Sequence, residues 1–435
     1  MRKSFASPPT RPVTIYNTHQ GQLSSLMATK LAAPKRARST MLTGEIHKPW
    51  LEKKDPLSRI AYLLTYAVAL IGIGASVVRV WFAAKSVNML TGNLCLILDD
   101  DFNGDSLNTD IWDYEVTMGG FGNDEFEMTT DSSNNTFLRD GYLYILPTLT
   151  SDVIGRDAIM NGYTYNITGC TTATYNDTSS CGAVSNITAA AVINPVMSAR
   201  INTKKSRSIR YGRVEIRAKN PIGDWLWPAL WMLPVNDTYG PWPLSGEIDI
   251  MESRGNGLSY AEQGSNYVRG SLNWGPLTWI NEVWRTTGWW TERRSSFADD
   301  FHTYAVEWDD KFIRAYVDTR LHAMLEVNFN VPFFERGDFP PVVTNGSEQI
   351  VLENPWVYGS KSAPFDMPFY LIMDVAVGGT NGWFADNVGD KPWINGATNA
   401  MQQFAEAQDK WAATWPEDDF SRALVVDYVK MWQQC

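Results

Sequence analysis

The chain is expected to fold as an all-β sandwich of jelly-roll type, preceded by one membrane-spanning helix. Three observations carry that expectation. Short runs of β-formers, cut by Gly, Pro, Asn and Asp, continue from about residue 95 to residue 435. Helical patterning is sparse there, while 44% of the 435 residues are hydrophobic, enough for a large core. A single uncharged stretch, residues 60–78, precedes all of these runs.

Residues 1–59 hold 11 Lys/Arg against 3 Asp/Glu and include SPPTRP and PKRARST, with no sustained periodicity. Such a segment buries too little apolar surface to offset its ordering entropy, so a disordered, basic cytosolic tail is expected. The rest of the chain is strongly acidic, since the whole carries −11. That asymmetry implies two environments and argues against nucleic acid as the partner of the acidic part.

The run IAYLLTYAVALIGIGASVV is long enough to cross a bilayer as a helix. The 59 residues before it are too many for the n-region of a cleaved signal peptide. A signal-anchor at 60–84 and a stalk at 85–94 follow. Lys48, Lys53, Lys54 and Arg59 crowd its N-terminal flank, against Arg79 and Lys85 beyond it. The positive-inside rule therefore predicts a single-pass type II protein, with residues 95–435 in the lumen or outside the cell. Six N-x-[ST] sequons, at Asn134, Asn166, Asn176, Asn186, Asn236 and Asn345, lie on that side. So do Cys95, Cys170, Cys181 and Cys435, whose spacing suits no common zinc motif. Of the three possible pairings, Cys170–Cys181 as a short clip with Cys95–Cys435 joining the ends is favoured.

Within 95–435, strands are predicted at GYLYILPT (141–148), GRVEIRAK (212–219), HTYAVEWDD (302–310), KFIRAYVD (311–318) and ALVVDYVKMW (423–432). NAMQQFAEAQDKWAATW (399–415) is the main helix candidate. Residues 151–198 are rich in Thr, Asn and Ser and carry one Cys pair and three sequons, so a glycosylated surface insertion is expected.

LSGEIDIMESRGN (244–256) sets Glu247, Asp249 and Glu252 among Ile248, Ile250 and Met251. Three acids so spaced arise by chance roughly 0.6 times in a chain with this many acids, so context decides. A surface strand or a calcium loop would place polar residues between the acids. On a strand, Glu247 and Asp249 share one face, while Ile248 and Ile250 face a core. Glu252 returns to the acidic face only through one extra residue, a β-bulge near Met251. Clustered carboxylates repel unless one holds a proton, a costly arrangement for a merely structural strand. Retaining glycoside hydrolysis uses such a set: two carboxyl groups roughly 5–5.5 Å apart, one attacking the anomeric carbon and one protonating the leaving oxygen. Tryptophan clusters in GDWLWPALWML (223–233), LNWGPLTW (272–279) and TNGWFAD (380–386) offer apolar faces that cover sugar rings.

GEIDIMES resembles the E-x-D-x-x-E signature of glycoside hydrolase family 16 in its laminarinase-like branch. YGRVEIRAKNPIGDWLWPALWMLP, GSLNWGP, DDFHTYAVEWDD, FDMPFYLIMDVAVGG and VVDYVKMW resemble that family's successive blocks, in order, over roughly 95–435. The branch includes β-1,3-glucanases and β-glucan recognition proteins. The resemblance implies a concanavalin A-like sandwich, with Glu247 as nucleophile, Asp249 as assisting carboxylate and Glu252 as general acid/base. It matches Trp227 and Trp231 to a glycone-side platform and Trp274 and His302 to cleft-lining positions. It also implies a possible structural calcium held by Asp101, the Gly104 backbone oxygen and Asp427; the chemistry needs no cofactor. The expected function is a membrane-anchored, retaining endo-β-glucanase acting on β-1,3- or mixed β-1,3/1,4-glucan. Transglycosylation and non-catalytic glucan recognition are the alternatives.

Overall fold

The computed structural model describes residues 41, 43–52, 56–172, 178–416 and 420–435. Most of the expected tail, and the sequon at Asn176, lie outside the described residues. The chain divides into two units, Met1–Ser86 and Val87–Cys435. In the first, a 31-residue helix, Pro56–Ser86, contains the uncharged run. Pro56 opens it at a position where the missing N–H costs nothing. No residue of this helix is buried, and its length and composition are sufficient to cross a bilayer.

The second unit is an antiparallel sandwich of two sheets, each of eight strands among the described residues. The first sheet runs Ala323–Asn328, Phe312–Val317, His302–Trp308, Gly212–Lys219, Leu424–Gln434, Tyr142–Ile145 and Thr136–Arg139, with Leu94–Asp100 also paired to Leu424–Gln434. The second runs Thr287–Thr291, Tyr267–Asn273, Glu247–Glu252, Leu226–Pro234, Phe369–Val377, Arg200–Asn202 and Asp113–Tyr114, with Ser208–Ile209 also on Phe369–Val377.

The sequence pattern explains these positions. Gly212–Lys219 alternates, burying Val214, Ile216 and Ala218. Phe369–Val377 lies centrally and is buried along its whole length, as its run FYLIMDVAV requires. Between the sheets Leu230, Met232, Ile248, Ile250, Val306 and Met373 are almost fully buried. Each such side chain contributes roughly 1.5–3 kcal/mol. The two ends of the domain meet where Leu94 pairs with Gln434, and Cys95–Cys435 joins them; Cys170–Cys181 is also bonded.

Two expectations need correction. The candidate helix at 399–415 is broken at Ala407 into Ala400–Glu406 and Gln408–Trp411, so that Phe404 and Trp411 stack inside at 4.4 Å. The stretch 151–198 is not wholly a surface insertion. Its exposed part holds the hairpin Thr164–Asn166 with Gly182–Val184, but Ile193 and Val196–Ser198 are buried, and Val196–Ser198 pairs in parallel with Glu127–Thr129.

Candidate active site

Strand Glu247–Glu252 lies inside the second sheet, with Ile248, Ile250 and Met251 buried in the core. Its register slips on both flanks. Trp231 opposes Asp249 but Leu230 opposes Met251, and Ser271 opposes Asp249 but Arg269 opposes Glu252. Ile250 is the extra residue. This bulge, one position from where the sequence suggested it, returns Glu252 to the face of Glu247 and Asp249. All three line one cleft of about 760 Å³.

The neighbouring strand supplies their donors. The Asn273 amide donates one hydrogen to Glu247 Oε1 (2.8 Å) and the other to Asp249 Oδ2 (2.9 Å). Its own oxygen accepts from Asn281 Nδ2 at 2.6 Å, which fixes the amide's orientation. Ser271 Oγ lies 2.7 Å from Asp249 Oδ2 and 3.3 Å from Glu252 Oε2. Trp242 Nε1 donates to Glu247 Oε2 (2.8 Å) and Trp227 Nε1 to Glu252 Oε1 (3.1 Å).

Burial dominates the electrostatics. It pushes Glu247 up to about 7, against the lowering effect of the hydrogen bonds from Asp249 and Trp242. Asp249 is driven well above the carboxylate range by burial, then by the charges of Glu247 and Glu252. Glu252 is raised by burial, while the Arg269 charge opposes the rise. Three interacting acids share protons as a set, and Asp249, flanked by both glutamates, is the one best placed to hold one.

Aromatic rings wall the cleft. Trp227 stacks on Trp383 at 4.8 Å and 11°, and Trp231 donates through Nε1 to Asp374 Oδ1 at 2.7 Å. Arg200 lies over the rings of both Phe121 (3.9 Å) and Trp231 (4.6 Å). Asp374 is pushed up to about 7, chiefly by burial. Sequence reasoning missed Arg200, Asp374, Trp242, Ser271 and Asn273. Asp374 did carry a signal, as the lone acid in an otherwise apolar nine-residue strand. Trp242 carried none, being a loop residue.

The structure sets other expected residues apart. Trp274 is fully buried, donates to Thr286 Oγ1 and packs against Phe333, so it belongs to the core rather than the cleft lining. His302 lies on the first sheet, with Nδ1 2.9 Å from Asp318 Oδ2, and does not line the cleft either. Asp101 and Gly104 are exposed, and Asp427 is paired with Arg217. Among the described residues no group of three or more His, Cys, Asp or Glu is arranged to hold a metal, and the structure lends the expected calcium no support.

Comparison with known proteins bears on the family and the fold. The family model described as glycosyl hydrolases family 16 matches residues 166–335. A Penaeus monodon protein named beta-1,3-glucan-binding protein is 41% identical over 378 residues, covering 83% of this chain and 98% of that protein. Glucan endo-1,3-beta-glucosidase A1 of Niallia circulans is 35% identical over 308 residues, covering 68% of this chain but 36% of that protein. The solved endo-beta-1,3-glucanase of Pyrococcus furiosus, at 24% identity, superposes with a TM-score of 0.50 over 80% of this chain and 97% of its own, a likeness of fold. With that extent of identity over nearly the whole of one relative, this chain belongs to glycosyl hydrolase family 16.

Proposed function

We propose that the protein is a retaining endo-β-glucanase that cleaves β-1,3-glucan, or mixed β-1,3/1,4-glucan, through a glycosyl-enzyme intermediate. The observation that carries this reading is the bulge at Ile250, which gathers buried Asp249 and half-buried Glu247 and Glu252 on one cleft face beside stacked tryptophans. Glu247, held by Trp242 and Asn273, is the nucleophile. Asp249 keeps the shared proton and hydrogen-bonds Glu247, which favours the ionised nucleophile. Glu252 protonates the leaving oxygen and then activates water. The Ser271 hydroxyl has one hydrogen; given to Asp249, it leaves Ser271 Oγ free to accept from protonated Glu252. Trp227 and Trp231 form the glycone-side platform.

One relative's name, beta-1,3-glucan-binding protein, supports a second reading, recognition without cleavage. The intact acids, with Glu247 hydrogen-bonded to Asp249, favour hydrolysis. Incubating the full chain in detergent with a panel of β-glucans decides between them. New reducing ends or transfer products support the enzyme; retention of laminarin without products supports the receptor.

The helix Pro56–Ser86 is proposed as a type II anchor, with the sandwich lumenal or extracellular. The exposure of Asn134, Asn166, Asn186, Asn236 and Asn345 is compatible with glycosylation there. Protease treatment of intact microsomes should degrade the tail and spare the sandwich; the reverse result would overturn the orientation.

A further inference from the structure

Cross-strand register places six residues in one line across the second sheet. Arg200 pairs with Asp374, Asp374 with Ala229, Ala229 with Glu252, Glu252 with Arg269, and Arg269 with Trp289. Directly opposed residues share a face. The first five line the cleft, so the sixth belongs to the same face, one strand beyond the lining.

The edge strand Thr287–Thr291 confirms this alternation. Thr287, two positions from Trp289, accepts from Arg269 Nε at 2.9 Å on the cleft side. The alternate residues point the other way. A Cβ on Gly288 would stand 1.9 Å from the Met324 backbone oxygen, and Trp290 stacks on His322 at 4.3 Å and 14°. Trp289 is 52% exposed. Two strand spacings separate it from Glu252, about 10 Å, which leaves room for one sugar ring between them.

We infer that Trp289 is a stacking platform for the leaving-group and acceptor portion of a β-glucan chain lying across the strands. The inference rests on the hydrolytic reading for its polarity, because Trp231 on the opposite flank takes the glycone side. A glucan offers what an exposed indole on this row selects, a flat apolar ring face. A bound acceptor sugar there raises the local concentration of hydroxyl groups that compete with water for the intermediate.

The test uses the full chain in detergent and a ladder of β-1,3-gluco-oligosaccharides of increasing length. In a Glu247→Gln background, where nothing is turned over, Trp289→Ala should bind the longer oligosaccharides on the order of tenfold more weakly and the shortest ones unchanged. Trp289→Phe, which keeps a ring at this surface position, should retain most of the affinity. With Glu247 intact, Trp289→Ala should lower the ratio of transfer to hydrolysis products and spare aryl glycosides whose leaving group ends before Trp289. Equal affinity at every length, or equal loss at every length, overturns the platform while leaving the hydrolytic reading intact. Length-dependent binding without any cleavage by the parent chain defeats the hydrolytic reading but supports the platform as a binding site.

Discussion

The two sheets each bury acids, and they treat them in opposite ways. On the first sheet, Glu307 is fully buried and meets two guanidinium groups: Arg314 Nη1 at 2.9 Å and Arg320 through Nε at 2.6 Å and Nη2 at 2.9 Å. Arg314 reaches on to Glu326, closing a charged chain across neighbouring strands. On the second sheet, the donors to Glu247, Asp249 and Glu252 are neutral: an indole, an amide, a hydroxyl and a second indole. A cation beside a buried acid fixes its charge, whereas neutral donors leave the proton free to move. The first arrangement suits structure and the second suits proton transfer, although both look like acids within β-strands in the sequence.

The sharpest way to break this comparison is to remove one acid from each side. Glu252→Ala should lower turnover of glucan by about 10²–10⁴-fold, the usual worth of acid–base assistance. Activated aryl glycosides should still form the intermediate, and azide should trap it as a β-glycosyl azide. An α product would mean attack without the enzyme's nucleophile and would reverse the roles assigned to the two glutamates. Glu247→Ala should abolish both reactions while glucan binding persists.

Arg314→Met tests the structural side. Leaving Glu307 and Glu326 short of their shared cation should cost roughly 3–5 kcal/mol of stability, because a buried charge loses a partner. Thermal unfolding should show the loss, whereas the pH profile of any glucanase activity in the remaining folded protein should not shift. A moved profile would couple the two sheets electrostatically and erase the distinction drawn here.

How far the sequence revealed this contrast depends on the length scale of each signal. Gly212–Lys219 was legible to the residue because alternation over eight positions is a local property. The bulge was legible too, since only one extra residue brings Glu252 to the face of Glu247. Trp274 and His302 were misplaced for a shared reason. Position within a familiar block does not reveal which face a side chain takes, and core demand claimed Trp274 against Phe333, just as Asp318 claimed His302. Asn273 and Ser271 were hidden because their role exists only through cross-strand register with Glu247 and Asp249. The partners of Glu307 were hidden likewise, since Arg320 sits 13 residues away along the chain.

Asp374 sharpens the comparison within the second sheet. Burial raises it from 3.8 to about 7, so the folded state holds its proton more tightly than the unfolded chain does. Its favourable contribution is complete below about pH 4 and is lost as pH rises through about 7. Asp374→Asn keeps an oxygen for Trp231 Nε1 and never ionises. It should therefore raise stability by roughly 1–3 kcal/mol near pH 8, with little change near pH 4. Melting curves at the two pH values check the sign, and an Asn variant less stable at the higher pH would show that Asp374 gains from its charge.

The smallest expected effect isolates a single neutral donor. Trp242 is 46% exposed, and its indole N–H at 2.8 Å from Glu247 Oε2 favours the ionised carboxylate. A nucleophile must be ionised, so activity falls as pH drops through the pKa of the carboxylate set containing Glu247. Trp242→Phe keeps a ring but removes the donor, which destabilises the charged form and raises that pKa. The acidic limb of kcat/KM should move to higher pH by roughly half a unit to one unit, since a full unit corresponds to about 1.4 kcal/mol. The alkaline limb, which the proposed roles give to protonated Glu252, should stay in place because Trp227 rather than Trp242 contacts that group. Trp242→Phe with both limbs displaced equally would indicate general desolvation of the cleft. An unmoved acidic limb would mean that Asn273 and Asp249 alone set the charge of Glu247.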